Sequence, residues 1–301
     1  MKKTNIQFIK NRRWFYLVSL CLFVTFFTTA YVRGGINWGI DFVGGVKVVA
    51  EFEKGVSTND IRKALDASGI PNSVQQVTAG DKTEYSITGK LLKGDKTGGN
   101  TLNALKTSID GAFKNVKMNS NEVVGPSIGE YLKKTANKMV ILCILMMTIY
   151  LAFRFEFRFS VGAMIALLHD VALSVALAAA CQVEFDIPVL AAILTIFGYS
   201  VNDTIVIFDR IRERMAEGTN VPFAELMNNS INQTLSRTVI TVFCTLLSVI
   251  ALFFLGGEVL HGFSLVLIFG FVIGAYSSIF IASPVVLAWD KYIKKDEPKK
   301  A

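Results

Sequence analysis

The sequence predicts an α-helical polytopic membrane protein, with six transmembrane helices and one small α+β domain between the first and the second. Three observations carry this. The 301 residues are 52% hydrophobic and only 18% charged, against about 25% charged in soluble domains. Six apolar runs reach the roughly 20 residues that a bilayer crossing needs. Between the first two runs lies a polar stretch, 34–137, with strand and helix signals of its own.

The basic N-terminus, 1–13, leads into the first run, 14–33. It mimics a secretory signal, but the apolar stretch exceeds a signal core of about 7–15 residues, and Thr28-Thr29-Ala30 is a weak cleavage site, so a retained anchor is expected.

Within the polar stretch, 46–124 reads as one unit. "VKVVAEF" alternates like a strand, and "STNDIRKALDASG" opens with a Ser57/Asp60 pair resembling a capping box. "SVQQVTA" and "EYSITGKLL" form two strands around a Gly80-Asp81 turn. "NTLNALKTSIDGAF" has a helical apolar face, and "VKMNSNEVV" closes the set. The order βαββαβ is that of a ferredoxin-like fold. Five further runs follow at about 139–155, 159–180, 187–208, 238–256 and 262–288, inside a segment 138–290, before a basic tail, 291–301.

Charge sets the orientation. The N-terminus, the tail and the two loops on the same side hold sixteen Lys and Arg, whereas the short loops around 181–186 and 257–261 hold none. Both termini are therefore expected in the cytoplasm. The long loop carries fifteen, but long loops cross largely regardless of charge, which places the domain outside. The same clustering accounts for the net charge of +7 without a nucleic-acid partner.

Cys21, Cys143, Cys181 and Cys244 lie in or beside apolar runs, so neither a disulfide framework nor a CxxC metal site is expected. No phosphate-binding loop, nucleophile elbow or HExxH is present, and the chain has two histidines. These absences argue against an enzyme, a cofactor or a metal. A domain exported without catalytic residues is expected to bind a partner.

Polar residues inside the spans point to work in the membrane, because a charge in hydrocarbon costs at least about 2.5–3.5 kcal/mol. Asp203, with Asn202 beside it, sits five residues inside span four, about 7–8 Å from its end. The helix could end early and leave Asp203 at the interface, but "TIVIF" continues the apolar run after it. Asp209 and Arg210 at the exit read as a solvated pair. Arg237 starts span five at the same level. It either snorkels to the interface or faces Asp203 and stabilises its ionised form.

His169 and Asp170 are central in span three. His169 points about 100° away from Asp170 round the helix, leaving both a structural hydrogen bond and a relay role open. Ala166, Asp170 and Ser174, and likewise Gly270, Gly274 and Ser278, recur every four residues, as helix-packing ridges do. Together these features indicate ion-coupled work across a membrane without naming what is moved.

Longer strings are more specific. "GINWGIDFVGG" (35–45), "VGPSIGEYL" (124–132), "FRFEFR" (153–158), "ALLHDV" (166–171), "GYSVNDTIVIFDRIRER" (198–214), "NQTLSRT" (232–238) and "GFSLVLIFGFVIG" (262–274) occur in family order. On these the chain resembles the SecF proteins of the SecD/SecF protein-export family, in the RND superfamily. The resemblance implies an RND-type half of six helices in a bacterial inner membrane. It also implies SecD, the SecYEG channel and YajC as partners, with preproteins drawn outward by the proton-motive force. Asp203 matches the family's proton-pathway Asp and Arg237 its essential Arg; Asn202, His169 and Asp170 join them as proton-path candidates on their place in the spans alone. Asp41, Gly44 and Gly45 match the motif at the base of the external domain, where the glycines could equally serve a tight turn. Gly125-Pro126 is either a hinge or a helix start.

Two other readings compete. A small-solute exporter half of the same superfamily would carry several larger external domains, and a passive scaffold would not need Asp203 or Asp170 in the membrane. The coupling ion, H+ or Na+, is left open.

Overall fold

The computed structural model describes residues 6–296, apart from 54, 68, 70, 71, 80, 81, 93, 96, 219 and 220. The expected Gly80-Asp81 turn and the end of the basic tail lie outside the described residues. In chain order the elements are α1 (Arg12–Val32), α2 (Ile40–Val43), β1 (Gly45–Glu51), α3 (Thr58–Ala67), β2 (Asn72–Ala79), β3 (Lys82–Gly89), α4 (Gly99–Ala112) and β4 (Lys117–Val124). Then come α5 (Pro126–Arg154), α6 (Phe157–Ala180), α7 (Ile187–Ala216), α8 (Phe223–Leu255), α9 (Gly257–Ser277), a π-helical turn (Ser278–Ala282) and α10 (Ser283–Asp296).

Six segments among the described residues are long and apolar enough to span a membrane: α1, α5, α6, α7, α8 and Leu260–Asp290. They divide into two sets. Half or more of the apolar window is buried in α6 (50%), α7 (56%) and Leu260–Asp290 (61%), but only 11%, 6% and 17% in α1, α5 and α8. The first three helices therefore form the bundle centre, and the others turn apolar sides outward, as a bilayer requires.

Small residues set the closeness of that centre. A Cβ on Gly270 would stand 2.1 Å from Ile196 Cδ1, and one on Gly274 would stand 3.2 Å from Ser200 Cα. The ridge on α9 is thus pressed against α7. Ala166, Ser174 and Ser278 are fully buried in the same core.

Two helices begin well before their apolar runs. α5 starts at Pro126 rather than 139, and α8 at Phe223 rather than 238. Hydropathy marks only the part of a helix in hydrocarbon, and both helices continue into polar sequence. Pro126 at the first helical position suits a helix start, since its missing N–H needs no partner there. The sixth span is interrupted by the π turn, two residues before Pro284, whose missing N–H and ring disturb the helical bonding of the preceding turn.

The polar stretch folds as a four-stranded antiparallel sheet of order β2-β3-β1-β4. The apolar face of β1 (Val46, Val48, Ala50) packs with Ile87 on Ile61 and Leu65 of α3 and on Leu105 and Ile109 of α4, a core separate from that of the bundle. The Ser57/Asp60 pair is a reciprocal cap: Ser57 N–H donates to Asp60 Oδ2 at 3.0 Å, and Asp60 N–H donates to Ser57 Oγ at 3.3 Å.

A second acid organises the entry to α4. Asp95 Oδ1 accepts from Gly98 N–H at 2.8 Å, and Oδ2 accepts from the N–H and the hydroxyl of Thr101, both at 2.7 Å. These bonds, Thr101's first, hold its carboxyl down at about 2. A depressed value contributes stability that is complete above the ordinary 3.8 and is lost as pH falls through about 2. Residues 36–126 produced alone are expected to melt cooperatively and to weaken over that acid range. Asp95→Asn is expected to lower the neutral-pH midpoint by about 5 °C and to flatten the acid dependence. Circular dichroism melts check both outcomes.

Candidate functional site

Asp203 lies on the inner face of α7, 4% exposed, and its Oδ2 is buried with no hydrogen-bond partner. Neighbouring Asn202 is exposed instead and lines a cavity of about 1110 Å³ between α7 and α8. Val206, Asp209, Arg210, Gln233, Thr234 and Arg237 line the same space. Arg237 of α8 is the cation whose field reaches the Asp203 carboxylate. On α7, Asn202 and Val206 face the cavity, and Asp203 stands behind them.

The expected solvated pair Asp209–Arg210 does not form. Asp209 pairs with Arg154 at the end of α5. Arg210 reaches Glu213 at 2.5 Å and Gln233 Oε1 at 2.6 Å. Adjacent residues on a helix point about 100° apart, so each finds a partner on its own side.

Asp170, 0% exposed, is the hub of a separate polar cluster. Ser200 of α7 and Ser277 of α9 donate to its Oδ2 at 2.5 and 2.6 Å, and His169 Nδ1 lies 2.9 Å from its Oδ1. Sequence spacing left open whether His169 is the partner, and the side chain turns back to Asp170. His169 Nε2 lies 3.2 Å from Ser19 Oγ on α1, and Ser19 lies 3.0 Å from the Tyr276 hydroxyl. Ser174 spends its hydroxyl on the Asp170 carbonyl. One turn along, Thr204 and Ser278 share a hydrogen bond of 2.8 Å. The structure brings Asp170, His169, Ser278 and Gly274 to one seam and puts Asn202 and Arg237 on another. Asp203 lies on the helix common to both.

The glycine motif builds a clamp at the end of the bundle that joins the sheet domain. Gly39 N–H donates to the Phe185 carbonyl, and Phe185 N–H donates to that of Asn37, so the segment before α2 pairs with the α6–α7 loop. Asp41 Oδ2 accepts from Ile187 N–H at 2.9 Å, and Lys47 binds Glu184 at 3.2 Å. Asp186, which caps α7 through Val189 N–H, has its carboxyl pushed up to about 6 by burial.

The glycines do more than turn. Gly44 has φ of +78°, and a Cβ there would sit 3.1 Å from Pro126 Cα. On Gly45 it would meet Ile40 Cγ2 at 2.7 Å. Gly125 caps α5 with an ordinary φ of −70°.

Sequence reasoning missed Ser19, Ser200, Tyr276 and Ser277, single hydroxyls in apolar helices with no spacing to mark them. It also missed Asn228 and Asn232, whose side chains hold the backbone of Ile6 and Ile9. Their separation of four residues, which puts both on one helix face, was the available signal.

Comparison with known proteins assigns the chain. Residues 104–292 match the family model described as protein export membrane protein SecD/SecF, C-terminal, and 34–56 match the SecD/SecF GG motif. The protein translocase subunit SecF of Vibrio alginolyticus is 41% identical over 254 residues, 84% of this chain and 80% of that one. That of Thermodesulfovibrio yellowstonii is 39% identical over 297 residues, 96% of each. The crystal structure of SecDF from Thermus thermophilus, a translocon-associated membrane protein, superposes with a TM-score of 0.84 at 35% identity. That match covers 96% of this chain but 39% of the SecDF chain, so the present chain spans about two fifths of it. With the bundle, the glycine clamp and both family segments in agreement, the chain belongs to the SecF family of protein translocase subunits.

Proposed function

We propose that this chain works with a SecD subunit beside a SecYEG channel, using the proton-motive force through Asp203 and Arg237 to help draw preproteins outward. One observation carries the reading: a buried carboxylate oxygen without a hydrogen-bond partner stands behind a large cavity lined in part by charged residues, in the field of Arg237. Intramembrane carboxylates of this kind mark ion paths, because nothing else offsets their desolvation. The proton is taken as the coupling ion. The SecDF chains, of which this chain matches one part, support a SecD partner.

In this reading the protein sits in the bacterial inner membrane with both termini in the cytoplasm, among lipid and with YajC as a further neighbour. The sheet order β2-β3-β1-β4 with two helices on one face supports a ferredoxin-like domain, here placed in the periplasm. The chain carries out no covalent chemistry and uses no cofactor. A single sheet domain suits a translocase accessory better than a small-solute exporter.

Co-purification of the tagged chain from membranes tests the partnership: a SecD protein and SecYEG components are expected, and recovery without either would overturn it. Topology has its own test. In a cysteine-free background, Lys114→Cys is expected to react with an impermeant reagent in intact cells and Glu217→Cys is expected to be protected. Reversed labelling would reject the orientation.

A further inference from the structure

The hydrogen-bond chain around His169 fixes where its hydrogens must be. The Tyr276 hydroxyl lies 2.6 Å from the Phe15 carbonyl, and a carbonyl can only accept, so the single Tyr276 hydrogen is committed there. The Ser19–Tyr276 contact then requires Ser19 to donate, which commits the Ser19 hydrogen as well. Ser19 can therefore only accept from His169, and Nε2 must carry a hydrogen. On the other side, Asp170 Oδ2 accepts from Ser200 at 2.5 Å and from Ser277 at 2.6 Å; Ser277 Oγ also lies 3.1 Å from the Gly274 carbonyl, and the shorter contact to the carboxylate takes its hydrogen. One further proton must lie between Asp170 Oδ1 and His169 Nδ1, because without it two lone pairs would face each other at 2.9 Å. Written as carboxylate with imidazolium, or as carboxylic acid with imidazole, the pair holds the same protons and is neutral overall. Neutrality is what a fully buried site in a bilayer needs.

We propose that His169 and Asp170 hold a second exchangeable proton of this transport unit, and that the donor chain through Ser19 and Tyr276 to Phe15 passes its loss to α1. This deepens the reading in which Asp203 carries protons, and rests on it. The proton balance is simple. When the shared proton leaves, the ionised Asp203 carboxylate takes it up on Oδ2, which has no hydrogen-bond partner. The pair becomes a carboxylate beside a neutral imidazole that keeps its Nε2 hydrogen, the Nδ1–Oδ1 contact opens, and the summed charge of the two sites is unchanged. His169 is then held by Ser19 alone, so its movement is handed to α1. That helix leads after Arg33 into the clamp at the base of the extramembrane domain. The site also adjoins Asp203: Ser200 donates to Asp170 and lies three residues, less than one turn, from Asp203 on α7. Of titratable groups on the elements packed around the pair, Tyr276 of α9 faces it, its ring stacked 6.3 Å from that of His169. Ser19, Ser200 and Ser277 are neutral, and Phe23 of α1 presents only a ring edge.

The chain has two histidines, so its imidazoles can be resolved in the full-length protein. Histidine-labelled NMR in nanodiscs at neutral pH, with His261→Gln to assign the signals, is expected to show a hydrogen on His169 Nε2. It is also expected to show a strongly shifted proton shared at Nδ1. Ser19→Ala is expected to change the Nε2 signal and leave the shared proton. A bare Nε2 in the full-length protein would overturn the hydrogen assignment. In proteoliposomes with the SecD partner, Asp170→Asn keeps the size of the group but cannot release a proton, and gradient-driven export is expected to fall at least about tenfold. His169→Gln is expected to shift the dependence of export on outer pH, which a purely structural residue would not do. Wild-type gradient response in Asp170→Asn, where Asp203→Asn has lost it, would reject the second site while leaving the first in place. Normal response in Asp203→Asn would reject the underlying reading, and the NMR assignment would stand on its own.

Discussion

Asp203→Asn is expected to reduce gradient-driven export to the level seen without the chain, while the protein still inserts and still binds its partner. Asparagine matches aspartate in size and keeps the helix position, so the packing of α7 against α9 is preserved. What it removes is the buried carboxyl able to take up and release a proton behind the α7–α8 cavity. Arg237→Met is expected to be similarly inactive. It keeps the long stem but deletes the cation that acts on the Asp203 carboxylate. The double variant should be no worse than either single one, since groups acting as a unit are not additive. Export of a slow secretory substrate, with membrane levels checked by blotting, gives the readout. Two partial defects that multiply in the double variant would show that the residues act separately.

Gly270→Leu is expected to remove folded protein from the membrane. Even a single carbon added at this position would stand 2.1 Å from Ile196 Cδ1, and leucine adds three more into a seam where Ile196 is fully buried. Overpacking of this kind costs about 1–3 kcal/mol when neighbours can adjust. Here the atoms in the way are Ile196 Cδ1 at 2.1 Å and Cγ1 at 2.4 Å, in a side chain with no free surface to turn toward. Ile196→Ala in the same chain opens space and is expected to restore part of the yield. Detergent thermal stability and membrane abundance check both variants. A Gly270→Leu protein as stable as wild type would mean that the seam is looser than described.

The architecture was legible because the bilayer makes hydrophobicity nearly decisive, and the element order of the small domain could be read from period and turn signals. Helix ends were less legible. Nothing in hydropathy says that α5 continues outward to Pro126 or that α8 continues to Phe223, because a helix in water needs no apolar run. The π turn at Ser278–Ala282 went unread although Pro284 follows it closely; a Pro inside an apolar run marks a break in helical bonding but does not say which form the break takes. At the candidate site, Asp203, Arg237 and Asp170 stood out because charges in apolar sequence are rare. Ser19, Ser200, Tyr276 and Ser277 did not, because a hydroxyl in a membrane helix can satisfy itself on its own backbone, as Ser174 does. His169 shows the limit of helical geometry: Cβ directions 100° apart did not keep its ring from the Asp170 carboxylate.

Proton entry measured directly is the most decisive test of the claim that Asp203 lies on the coupling path. The full chain and its SecD partner would be placed in proteoliposomes with a pH-sensitive dye inside, and a pH gradient imposed across the membrane. Wild-type vesicles should acidify faster than empty ones, and Asp203→Asn vesicles should match the empty ones. Equal acidification by wild type and Asp203→Asn would contradict the account.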